Sequence, residues 1–227
     1  MLLNSTPLWL SLQVALFAML IILPIGTVIA WWLAFGRSFP GKRILETLLF
    51  LPLVLPPTVV GYYLLLLLGR GTRFGEWVND VLGVHLLFTW QGAAVASSVM
   101  ALPLFISTAS SAFASIEKEL LEVGRTLGAS ERVLLWRVIV PLAYRGLLAG
   151  LALAFARALG EFGATLMVAG SIQGRTQTLP LALYSAVQAG NEGEARAYTL
   201  VLSCIAFLLL FSVGAYQHQL AQRRGER

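Results

Sequence analysis

No acidic or basic side chain occurs between Met1 and Gly36. A hydrocarbon layer about 30 Å thick is crossed by about 20 apolar residues in a helix, and Leu8–Phe35 supplies such a run. A cleaved secretory leader would start with basic residues and carry a shorter apolar core. Neither feature is present, so this stretch is expected to remain as a first membrane span. Of the 227 residues, 58% are hydrophobic and only 12% are charged, against about 25% charged in a soluble domain. So few charges cannot cover a water-facing surface, which excludes a soluble enzyme. The expectation is an all-α, polytopic membrane protein forming one transmembrane domain over residues 1–227.

Four further spans follow from the apolar runs: Thr47–Gly69, Leu86–Ala109, Ile139–Val168 and Tyr198–Tyr216. Ala182–Ala189 is moderately apolar but too short to cross, and reads as a re-entrant or extracytoplasmic helix. Five spans put the termini on opposite sides of the bilayer. One side then collects Arg37, Lys42 and Arg43, next Lys118, Arg125, Arg132, Arg137 and Arg145, and finally Arg223, Arg224 and Arg227. The other side holds Arg70, Arg73, Arg175 and Arg196. Cationic loops stay in the cytoplasm, so the N-terminus is expected outside and the C-terminal tail inside. The surplus of positive charge therefore reports topology, and nucleic acid is not an expected partner.

Motifs for chemistry are scarce. Gly36–Arg43 matches the first seven positions of a phosphate-binding loop, but the eighth must bring a hydroxyl to Mg²⁺ and is Arg43. A Pro-Gly turn with topology-setting cations accounts for it. Cys204 is the single cysteine, and His85 and His218 are far apart in the sequence, so neither a disulfide framework nor a zinc site is expected. No serine-nucleophile or metalloprotease pattern occurs. The chain is expected to bind no cofactor and to catalyse no reaction itself.

The segment from about 111 to 138 stands out as the long, charged cytoplasmic connection. Glu117–Leu127 reads as one helix and Ser130–Val138 as a second, with Gly128 breaking between them. Ser130 suits a helix N-cap, with Glu131 favourable just inside it. Val133, Trp136 and Val140 recur at three- and four-residue steps, an apolar stripe suited to docking. Acidic and basic residues balance along this segment, which favours a protein partner over anionic lipid.

Its residues resemble a known signature. Glu122-Val123-Gly124, then Gly128, then Val138-x-Val140-Pro141 is similar to the EAA signature of ABC importer permeases. Val123 and Gly124 stand in place of the two alanines, and Val138 and Val140 in place of isoleucine and leucine. Two membrane segments narrow the resemblance. Leu51-Pro52-Leu53-Val54-Leu55-Pro56-Pro57 with Val59-Val60-Gly61-Tyr62 resembles the second span of molybdate permeases. Ala154–Ala164, containing Arg157, Gly160, Glu161 and Gly163, resembles a segment shared by molybdate, tungstate and sulfate permeases.

The resemblance implies the type I ABC importer permease fold, with the 111–138 segment as the coupling helices that seat in an ATPase. It also implies a homodimer in a bacterial or archaeal plasma membrane, two cytoplasmic ATPase subunits that carry ATP and magnesium, and an extracytoplasmic molybdate-binding protein. A sulfate or tungstate permease is the nearest alternative. An ion-coupled secondary transporter is further off, since those commonly show duplicated halves and no internal repeat occurs here.

Two features lie within the predicted spans. A charge near the bilayer centre costs at least about 2.5–3.5 kcal/mol and normally faces the bundle interior or a watery cavity. Arg157 and Glu161 are spaced to share one helix face. Either they neutralise each other as a structural pair, or Arg157 stands beside the permeation path as a lure for a dianion. Pro52, Pro56 and Pro57 remove backbone donors. They either kink a packed helix or open it as a hinge that turns carbonyls toward the path.

Overall fold

The computed structural model describes residues 5–36, 40–69, 71–83 and 85–225, so Arg37, Arg70 and Arg227 of the charge count fall outside them. Every regular element among the described residues is helical.

Helix α1 (Thr6–Phe35) carries Pro7 in its first turn and Pro24 inside without breaking. At 1.5 Å per residue it is about 45 Å long, longer than the hydrocarbon layer is thick. Lys42 closes the turn that follows. Its Nζ donates to the Leu33 carbonyl at 3.2 Å and sits over the Trp32 ring, placing a cation on the C-terminal end of α1 where the helix dipole favours it.

Helices α2 (Lys42–Val54) and α3 (Pro57–Leu68) occupy the predicted second span, bent 115° from each other. The expected continuous span Thr47–Gly69 is thus corrected to two helices. Pro52 lies inside α2 and does not break it. Pro56 and Pro57 do, because each proline pushes the residue before it out of the helical region. Leu55 and Pro56 accordingly have ψ of 144° and 133°. Pro57 then begins α3 at a position that needs no N–H.

A short helix α4 (Arg73–Leu82) leads to α5 (Trp90–Ala114), the central and most deeply buried helix. Thr89 caps α5 by accepting from the Gly92 N–H at 3.2 Å. On one side, Gly26 of α1 leaves the space that Phe105 fills; a Cβ there would lie 2.5 Å from the ring. On the other, Gly146 and Gly150 of α8 (Val140–Leu159) lie against Ala112 and Thr108. Lipid tails are as apolar as leucine, so such helices hold together by close contact rather than by escape from water. Small residues at these crossings permit that contact.

The fourth span also differs from expectation. α7 (Glu131–Leu134), a π turn over Leu135–Ile139 and α8 form one continuous helical run ending at Leu159, so the separate helix expected over Ser130–Val138 is absent. The chain then breaks and resumes as α9 (Gly163–Ala169), so the continuous span predicted to Val168 is corrected to two helices. α10 (Leu179–Gln188) is the short helix expected near residues 182–189, its Leu179 N–H donating to Ser11 Oγ of α1 at 2.7 Å. α11 (Glu192–Gly225) starts before the predicted Tyr198, and almost none of its apolar length is buried. Among the described residues, four helical runs are long and apolar enough to cross a membrane, or five if the bent α2–α3 pair counts as one span.

Candidate functional site

Two sites emerge, one at the corner between α6 and α7 and one inside the bundle. At the corner, α6 (Lys118–Thr126) ends at Gly128 with φ of +81°. The Gly128 N–H donates to Arg125 O at 2.9 Å and the Ala129 N–H to Gly124 O at 3.0 Å, the paired bonds by which a glycine closes a helix end. Ser130 Oγ accepts from the Val133 N–H at 3.4 Å, capping α7 as the sequence predicts. Arg125 and Glu131 clamp the corner with two bonds, 2.7 and 3.3 Å. That carboxylate, by hydrogen bond and charge, holds Arg125 above its already high pKa.

Gly124, one of the departures from the resembled signature, has a local reason. A Cβ there would lie 2.5 Å from Cδ2 of Leu134, a buried side chain that pins α7 onto α6. The rest of the signature divides by place. Glu122 and Val123 are exposed on α6, and Gly128 forms the turn. Val138, Val140 and Pro141 lie where the hairpin joins α8. Pro141 cannot donate the next helical bond, and just before it the Val140 N–H reaches back five residues to Leu135 O. The wider π turn shifts the helix face. Val133 and Trp136 stay exposed while Val140 is half-buried, which corrects the expected three-residue stripe. The apolar surface is instead Leu120, Val123 and Leu127 of α6 and its turn, with Trp136; Leu127 is 82% exposed and Trp136 63%. Leu120, Val123 and Leu127 recur at three- and four-residue steps, a helical spacing that the sequence reading placed on the second helix instead.

Inside the bundle, α8 ends with Arg157 in its last turn, and Glu161 lies in the break before α9. Arg157 Nη1 stands 2.6 Å from Glu161 Oε2. Glu161 Oε1 accepts from the Ala164 N–H at 2.8 Å. The expected pairing is present, but not along one continuous helix face. Each charge suits its helix end: the cation sits among the last carbonyls of α8, the anion among the first N–H groups of α9. The Glu161 side chain is 1% exposed, the Arg157 side chain 28%.

This break touches the other one. A Cβ on Gly163 would lie 3.0 Å from Pro57 Cβ, and one on Gly61 would lie 2.8 Å from Ala164 Cα. The proline cluster and the charged pair, two separate features in the sequence, thus form one junction where α3 packs on α9. Phe162, in the break itself, packs on Tyr184 of α10 with ring centroids 5.0 Å apart. Ser97 and Thr165, both fully buried, face each other across α5 and α9 with their oxygens 3.5 Å apart. A guanidinium has five N–H donors. Among the described residues Arg157 pairs with Glu161 through Nη1, which leaves further N–H groups on the guanidinium.

Residues 8–226 match the family described as binding-protein-dependent transport system inner membrane component. The chain is 44% identical over 208 residues to the putative molybdenum transport system permease protein YvgM of Bacillus subtilis (strain 168), covering 92% of this chain and 91% of that one. It is 41% identical over 205 residues to the molybdenum transport system permease protein ModB of Escherichia coli (strain K12), covering 89% of each. Among solved structures, a chain of the MetNI methionine ABC transporter in an inward facing conformation superposes with a TM-score of 0.71 at 18% identity, covering 94% of each chain. The chain belongs to the family of inner-membrane components of binding-protein-dependent transport systems.

Proposed function

We propose that the chain is the permease through which an ABC importer passes molybdate. The near-full-length similarity to two molybdenum permeases carries the choice of substrate. Arg157, cationic and partly exposed inside an otherwise apolar bundle, supplies the chemistry a tetrahedral dianion needs. Facing lipid would be costly for it, so it faces a watery path or a second copy of the chain. One copy makes a thin wall rather than a pore, and two copies enclose the path between them.

On the inner side, the hairpin presenting Leu120, Val123, Leu127 and Trp136 seats in a groove on each of two ATPase subunits, which hold ATP and magnesium. An extracytoplasmic binding protein delivers the anion from the opposite side. The N-terminus lies outside and the tail inside, as the cationic loops require. Closure of the ATPases on ATP pulls the hairpins and favours the outward-open state, and hydrolysis returns the inward-open one. Such switching requires that each ligand contact the two states differently.

Reconstituting the permease with its ATPase and binding protein, then comparing anions, tests the substrate. Molybdate is expected to stimulate ATP hydrolysis and sulfate to leave it near the basal rate. Stimulation by sulfate with none by molybdate overturns the assignment.

A further inference from the structure

The two members of the intramembrane pair are held very differently. Glu161 is fixed: its side chain is buried and Oε1 is anchored by the Ala164 N–H at 2.8 Å. Arg157 is long, partly exposed and held at Nη1, 2.6 Å from Glu161 Oε2. The next two residues along the break are packed as well, Phe162 on Tyr184 and Gly163 against Pro57 and Thr58. The anion therefore cannot follow a passing substrate, whereas the cation has room to move.

A path must hold its ion firmly enough to admit it and weakly enough to release it. An unopposed guanidinium in a low-dielectric bundle fails the second condition for a dianion, because every electrostatic contact there is strengthened. We propose that Glu161 is the release residue of the path, a fixed counter-charge that competes with the oxyanion for Arg157 and draws the guanidinium back once the anion moves on. This inference rests on Arg157 meeting the substrate and adds what that reading leaves open, namely how the substrate leaves.

The test uses the complete transporter in nanodiscs and proteoliposomes, with radiolabelled molybdate and with assembly checked by size-exclusion chromatography. Glu161→Gln keeps an oxygen to accept from the Ala164 N–H, so the break retains its cap. It is expected to tighten molybdate retention by the complex about tenfold, the scale of one hydrogen bond to a charged group. Turnover at saturating molybdate should fall by a similar factor without a rise in KM. Arg157→Gln is expected to raise KM. The double variant R157Q/E161Q should outpace Arg157→Gln, since without the cation Glu161 only repels the substrate. That comparison stands even where Glu161→Gln alone fails to assemble.

Unchanged or weaker retention in an assembled Glu161→Gln complex overturns the release role while leaving the path intact. A double variant no faster than Arg157→Gln overturns it as well. Wild-type KM and turnover in Arg157→Gln would instead remove Arg157 from the path, and the underlying reading with it.

Discussion

Gly61 shows how little slack the junction has. Its missing Cβ would collide with Ala164 Cα and the Ala164 carbonyl oxygen, at 2.8 and 2.9 Å. These are backbone atoms, so no side-chain rotation relieves the clash. Gly61→Ala should therefore force α3 off α9 and cost about 1–3 kcal/mol, the usual penalty for overpacking. A lowered thermal unfolding midpoint of the purified permease would record it, and an unchanged midpoint would mean that the two helices are not in this contact. The sequence marks Gly61 only as part of a resembled segment, because a glycine's neighbour is invisible until the fold brings it near. Arg157 and Glu161 were more legible, since two opposite charges in an apolar run have few partners besides each other. Their spacing pointed to a pair, but the break at Gly160–Phe162 was missed. Apolar residues continue on both sides of it, so hydropathy does not change there.

The proline cluster makes the same point about helices. Three prolines fell in one predicted span, yet only the adjacent pair divides it, and Pro24 and Pro103 sit inside intact helices. One proline removes one bond; two in succession also displace two residues from helical geometry. Replacing both, Pro56→Ala/Pro57→Ala, should restore helical bonding and straighten α2 into α3. Spin labels at exposed Leu48 and Leu67, on a Cys204→Ala background, would then move apart in a pulsed-resonance measurement. No change in their separation would show that packing against α9, and not the prolines, sets the bend. The hairpin was readable in part: Gly128 sits at the predicted break and Ser130 at the predicted N-cap. The exposed apolar face was not, because it lies mainly on α6 and its turn, while the π turn before Pro141 takes Val140 out of the stripe expected on the second helix.

Across the whole molecule, α1, α5 and α8 form a packed centre, while α11 and much of α2 and α3 keep large apolar side chains exposed. Lipid and a second copy are the coverings that fit such faces in a membrane. The two interrupted spans meet inside this frame, and the hairpin at residues 118–134 carries exposed Leu120, Val123 and Leu127. The four or five apolar helices followed from apolar length. Which helices are central did not, since α5 and α11 are both apolar and only small residues at the crossings distinguish them. ATP-driven accumulation of molybdate in proteoliposomes containing permease, ATPase and binding protein tests the account most directly when Leu127 is changed to aspartate. That side chain is 82% exposed in the isolated chain, so Leu127→Asp leaves the permease folded but places a charge in the proposed ATPase groove. Accumulation is expected to fall at least about tenfold while the variant inserts and unfolds as the wild type does; accumulation at the wild-type rate would contradict a path driven from its inner hairpin.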